Sequence, residues 1–149
     1  MNTELPKDYR PLALRHSGFL QAIGPFFGRR TGDALSIGLR IEPRHCNSAG
    51  QAHGGMVLSL ADVVLTVGSN FNARTSRFLP TVSLSCEFIQ GAALGSWVEG
   101  TAEVLRVTGS HVFSQLLLRD EADTALARAS GILLLRGEAD AAFDRDRVF

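Results

Sequence analysis

From residue 54 to about residue 72 the chain is apolar on nearly every helical face, and Asp62 is the only formal charge between His53 and Arg74. A helix on a protein surface carries a polar stripe, whereas one that is apolar all round is enclosed by other structure. Upstream, Leu35, Ile37, Leu39 and Ile41 fall on alternate positions, the period of a half-buried strand, and Pro43 closes that run. Residues 12–23 have weak helical spacing through Phe19, Leu20 and Ile23, ended by Gly24-Pro25.

Four strand-like stretches follow the apolar helix, over residues 81–89, 97–107, 111–118 and 125–135, with turns at 91–95, 108–110 and 120–123. In the first, Val82, Leu84, Cys86 and Phe88 share one face, and Thr81, Ser83, Ser85 and Glu87 the other. In the last, Ala125, Ala127, Ala129 and Gly131 line one face with small side chains, where another element can approach closely. The pattern predicts an α+β architecture, an antiparallel sheet of five to six strands wrapped around one long central helix. No repeat or low-complexity linker divides the chain. One domain is expected over residues 1–149, with an N-terminal extension at 1–17 and a polar tail at 137–149.

At 149 residues the chain is long enough to bury a sizeable core without disulfide or metal staples. Its 45% apolar and 20% charged composition is that of a globular protein, not a disordered one. Fifteen basic residues balance fifteen acidic ones, so no basic excess exists to concentrate a nucleic acid. Cys46 and Cys86 have neither the density of a secreted scaffold nor zinc-knuckle spacing, which points to a reducing compartment. The first residues carry Glu4, Lys7, Asp8, Arg10, Arg15 and His16 rather than an apolar run, and the longest apolar tract, residues 56–68, is short for a membrane span. A cytoplasmic protein with no membrane partner is expected.

The chemistry concentrates in residues 47–62. Gly54-Gly55 at a helix start leaves the first backbone N–H groups uncovered, where the helix dipole also favours negative charge, so this end can hold a carbonyl becoming an oxyanion. A bare Gly-Gly is otherwise an ordinary turn; Asp62 changes that reading, because a carboxylate in the most apolar helix is costly unless it has partners or a task. Seven residues separate Gly55 from Asp62, nearly two turns, which puts them on one face about 10 Å apart. Both cannot reach one carbonyl carbon within a single helix. Two antiparallel helices about a twofold axis would bring Asp62 of one chain beside Gly54-Gly55 of the other, so a site shared between subunits is expected. A thiol–imidazole pair at His45-Cys46 is disfavoured, since neighbours on an extended chain point opposite ways. His45, Cys46, His53 and His111 match none of the usual zinc spacings, so no metal is expected.

Asn47, His53-Gly54-Gly55 and Asp62 stand at the spacing found in hotdog-fold acyl-CoA thioesterases of the phenylacetic-acid-degradation type, which the chain resembles from about residue 18 to 135. The resemblance implies a thioester carbonyl polarised by the Gly54 N–H and oriented by Asn47, with Asp62 as nucleophile or as general base for water. It further implies a Ser or Thr beside the carboxylate at the start of the next strand, here Thr81 or, two residues on, Ser83. His53 counts among the candidate catalytic residues, and bracing the helix start is expected of it ahead of direct acid–base work. Gly55, Met56, Leu60, Phe71 and Ser110 are the expected substrate contacts. The implied reaction converts an acyl-CoA to free acid and CoA with no cofactor, in a homodimer at minimum and by default a homotetramer. Two positions depart from the family: Gly109-Ser110 lacks the usual basic residue and Gln90-Gly91 the usual Pro. The CoA phosphates are left to Arg74, Arg77, Arg106 and Arg136 as candidates. A non-catalytic acyl-CoA-binding module is the alternative. A hydratase is disfavoured because Val67 stands where such enzymes carry His, five residues after the carboxylate.

Overall fold

The computed structural model describes residues 4–14 and 17–149; Arg15 and His16, two of the charges read in the N-terminal stretch, lie outside it. The chain forms β1 (Arg10–Pro11), α1 (Gly18–Ile23), β2 (Phe27–Thr31) and β3 (Ala34–Arg40), then the long helix α2 (Gly54–Ala73). Five strands follow: β4 (Thr81–Phe88), β5 (Trp97–Thr101), β6 (Glu103–Val107), β7 (His111–Asp120) and β8 (Ala125–Leu134). They join one eight-stranded sheet in the order β1-β2-β3-β5-β7-β8-β4, with β6 paired to β7, and all pairings are antiparallel.

The expected five to six strands therefore become eight, for three physical reasons. Residues 97–107 count as two strands, because the ladder is interrupted at the buried Ala102 while β5 and β6 pair with successive stretches of β7 in one continuing register. β2 joins β3 through a two-residue Gly32-Asp33 loop, with Gly32 at φ +59°, a conformation glycine adopts freely. β1 adds two residues against β2. The helix expected over 12–23 forms only at Gly18–Ile23, capped by the Ser17 hydroxyl.

The alternation read in β3 is seen directly: Leu35, Ile37, Leu39 and Ile41 are at most 2% exposed. Each such burial contributes about 1.5–3 kcal/mol. They face α2, whose Leu60, Ala61, Val64 and Leu65 are equally enclosed. The small face of β8 receives α2 closely; a Cβ on Gly131 would sit 3.1 Å from the Leu65 side chain. By length and composition α2 could cross a membrane, with a mean hydropathy of 1.3, but 56% of that window is buried inside this fold. The tail docks rather than trailing away. Val148 is buried, its carbonyl accepts the Ala13 N–H at 2.8 Å, and the Asn70 amide donates to the Phe143 carbonyl at 2.8 Å.

Candidate active site

The start of α2 is set by His53, which stays extended (φ −61°, ψ 141°) while its ring Nδ1 accepts the Gly55 N–H at 2.9 Å. His53 thus braces the helix start, and its carbonyl accepts the Met56 and Val57 N–H groups. Among the described residues no acceptor meets the Gly54 N–H. Of the two glycines, Gly55 has its donor occupied and Gly54 keeps its own free for a ligand. Asn47 lies in the exposed loop just upstream, where its side-chain oxygen accepts the Ala49 and Gln51 N–H groups at 2.9 and 3.2 Å. That leaves the Asn47 amide nitrogen as the part able to meet a carbonyl.

Asp62 lies about 12 Å further along the same helix. The Thr81 hydroxyl, on the first residue of β4, donates to its carboxylate at 2.5 Å. Of the two hydroxyls read as candidates, Thr81 makes this contact, while Ser83 lies beyond a register shift in the β4–β8 ladder. Immediately after Asp62 the helix widens into a π turn over Val64–Gly68, and the Thr66 hydroxyl takes up the Asp62 carbonyl at 2.8 Å. Such widened turns are frequent at functional positions. Asp62 and Thr81 sit on the wall of a cavity of about 600 Å³, the remaining helical wall being Val63, Thr66, Val67, Asn70 and Phe71.

Within one chain, then, Asp62, Thr81 and Phe71 meet at this cavity, while Asn47, His53, Gly54 and Gly55 gather at the opposite end of α2. Met56 and Leu60, expected to contact substrate, are 7% and 1% exposed and pack in the core instead of lining the cavity. Ser110 lies in the β6–β7 turn, away from the cavity, its hydroxyl 2.8 Å from the His111 ring. Arg77 was read only as a phosphate candidate, yet it lines the cavity. Nothing in the sequence signals that placement, which depends on how the irregular segment between α2 and β4 returns along the helix, with the Arg77 N–H on the Asn70 side-chain oxygen. Arg74 is engaged by Asp33 at 2.8 Å. His45 is buried with both ring nitrogens used, Nδ1 accepting the Glu42 N–H and Nε2 facing the Ile23 carbonyl, so it holds the loop together and is no base for Cys46.

The thioesterase superfamily profile matches residues 49–127, which span the Gly-Gly helix start, Asp62 and Thr81. A candidate esterase of Pseudomonas aeruginosa is 34% identical over 132 residues, covering 88% of this chain and 97% of its own. Among solved structures, zebrafish thioesterase superfamily member 2 superposes with a TM-score of 0.73 at 21% identity, over 81% of this chain and 88% of the other. A Streptococcus pneumoniae thioesterase protein solved with coenzyme A gives 0.70 at 13% identity, over 77% and 91%. The fold is the hotdog fold, and the chain belongs to the thioesterase superfamily. It is a thioester hydrolase.

Proposed function

We propose that the chain is an acyl-CoA thioesterase of the phenylacetic-acid-degradation type, with Asp62 reacting at the thioester and Gly54 of a second copy polarising its carbonyl. The observation that carries the reading is Asp62, held by Thr81, at the wall of a largely apolar cavity. An acyl group needs such a cavity, and the coenzyme found with the streptococcal structure supplies the matching leaving group. Attack by the carboxylate on the thioester carbon expels CoA thiolate and leaves a mixed anhydride, which water then opens to the free acid. Alternatively Asp62 takes a proton from water, the hydroxide adds to the carbonyl carbon, and the collapsing intermediate releases CoA, which leaves as the thiol. In either route negative charge grows on the carbonyl oxygen, and the Gly54 N–H with the Asn47 amide would receive it.

A second copy is needed because Gly54 and Asp62 of one chain are two turns apart on one rod. The edge of β4 supports this pairing: among the described residues it pairs on one side only, and Val82 and Phe88 on it, with Ile89 just beyond, are 56–58% exposed. Unpaired apolar edges are places where another strand adds. The dimer, its further pairing into a tetramer and a cytoplasmic setting for the two free cysteines belong to the same proposal. The test is thiol release from a panel of aryl and alkyl acyl-CoAs by the wild type and Asp62→Asn. The variant should keep its fold and acyl-CoA binding and lose at least about a hundredfold in kcat. Wild-type turnover in Asp62→Asn would remove the carboxylate from the mechanism, and a thermal shift with acyl-CoA but no thiol release from the wild type would make the protein a binding module.

A further inference from the structure

The cavity beside Asp62 has a direction. Asp62, Thr66 and Asn70 recur every fourth residue along α2, so their face of the helix runs about 12 Å from the carboxylate to Asn70. The opposite rail is the segment from Arg77 to Thr81, which returns along the same face: the Arg77 N–H donates to the Asn70 side-chain oxygen at 2.9 Å, and Thr81 meets Asp62. Between the rails the wall is apolar, with Val63, Val67, Phe71 and Leu79. The far end is closed by the tail, fixed there by the Asn70–Phe143 bond, by the Asp140 N–H on the Ser76 carbonyl, and by the Phe78 and Phe143 rings 5.8 Å apart.

That far end is cationic. Arg77, Arg145 and Arg147 line the cavity together with a single acidic residue at that end, Asp144, one of whose oxygens already accepts the Asp146 N–H at 2.8 Å, while Asp33 outside the lining is taken up by Arg145. Arg145 lies over the Phe71 ring and pairs with Asp33. Arg77 and Arg147 have no ion-pair partner among the described residues, and the Arg77 Nε is buried without an acceptor. A buried guanidinium N–H without a partner is costly, and a carboxylate is the partner whose geometry fits it best.

We infer that Arg77 receives an anionic group at the distal end of the acyl chain, so that the preferred substrates are CoA monothioesters of medium-length dicarboxylic acids. This rests on the acyl-CoA reading above and adds its substrate class. The thioester sits at Asp62, the methylenes follow the apolar rails, and the free carboxylate meets Arg77, with Arg147 adding to the field. Arg77 is a specificity-determining residue here, remote from the reacting carbon.

The experiment compares hexanoyl-, octanoyl- and decanoyl-CoA with adipyl-, suberyl- and sebacyl-CoA by thiol release, on wild type, Arg77→Leu and Arg77→Lys. At one length or more the dicarboxylic thioester should exceed its alkyl counterpart in kcat/KM by at least about tenfold. Arg77→Leu should collapse that ratio mainly through KM, and Arg77→Lys should restore part of it. The one bond that Arg77 makes to the fold among the described residues uses its backbone N–H, so both variants keep it, and melting curves check this. A wild-type preference for the alkyl series, or an Arg77→Leu loss equal in both series, overturns the inference; the second result would assign Arg77 to the CoA phosphates. Absence of thiol release from every substrate overturns the thioesterase reading instead. Calorimetric titration with free suberate then decides this inference separately, since binding lost in Arg77→Leu upholds it and binding unaltered refutes it.

Discussion

Gly54→Pro separates the backbone N–H from everything else at the helix start. Gly54 is the first residue of α2, and its N–H has no acceptor among the described residues, so a proline there removes a donor the fold does not use. Proline is favoured at this helical position, and it requires an extended residue before it, which His53 already is at ψ 141°. A Cβ at residue 54 would meet only the Phe88 ring, at an ordinary 3.6 Å. Stability should therefore change by no more than about 1 kcal/mol, roughly 3 °C in Tm. Hydrolysis should fall about a hundredfold to a thousandfold, the loss expected for one oxyanion donor. Gly54→Ala, which adds the same Cβ but keeps the N–H, should lose less than about tenfold. Steady-state thiol release on the three proteins, with melting curves, measures both effects. If the site is shared between subunits, unfolding and refolding Gly54→Pro together with Asp62→Asn should restore about a quarter of wild-type activity, because half the dimers are mixed and each has one intact site of two. Equal activity of the Pro and Ala variants would refute the oxyanion role, and no recovery on mixing would refute the shared site.

Thr81→Val should lower kcat about tenfold, the lower end of the range for a hydrogen bond to a charged group because Thr81 is exposed, whereas Thr81→Ser should retain most activity; equal rates for Val and Ser would show the hydroxyl to be idle. Burial lowers the pKa of His45, and with Nδ1 already accepting the Glu42 N–H a second ring proton has no place to go. The folded state therefore resists protonation where the unfolded chain accepts it, so stability should be full above about pH 6.5 and decline as pH falls through the lower folded pKa. Chemical denaturation across that range on wild type and His45→Gln checks this, the variant lacking that component of the slope. Gly38→Ala places a Cβ 2.8 Å from the Val98 carbonyl and 2.7 Å from the Trp97 ring, and should cost about 1–3 kcal/mol, read as a lower denaturation midpoint.

Elements that bury a whole face by themselves were legible in the chain. β3 shows its inward set at every second position, and α2 shows that it is enclosed by lacking a polar stripe wide enough for solvent. β2 was not legible because its buried position is Gly28, covered by Leu12 and Phe149 from the N-terminal stretch and the tail. No alternation within Phe27–Thr31 could announce a cover that arrives from both ends of the chain. The site divides the same way. The residue pattern singled out Asp62 and the Gly54-Gly55 pair, and the family resemblance added Gly54 as the donor and Thr81 beside the carboxylate; that Gly55 has its donor occupied depends on the direction of the His53 ring, and that Arg77 faces the cavity depends on how the segment after α2 doubles back.

The face of α2 opposite its packed side explains how a carboxylate is held on the most buried helix of the fold. Leu60, Ala61, Val64 and Leu65 are buried toward the sheet, while Asp62, Thr66 and Asn70 form a narrow polar line down the cavity side. Each member of that line has its own task. Asn70 holds the loop before β4 and the docked tail in place, through its oxygen to the Thr75 hydroxyl and Arg77 N–H and its nitrogen to the Phe143 carbonyl. Thr66 satisfies the Asp62 carbonyl where the helix widens, which keeps the backbone beside the carboxylate paired despite the π turn. Among the described residues the Asp62 side chain is then committed to one hydroxyl, on a rod fixed by core packing on one side and by Asn70 at the far end. A line of three polar residues at four-residue spacing is too sparse to register as an amphipathic stripe, so the same arrangement that keeps α2 enclosed hides this polar face from a periodicity count.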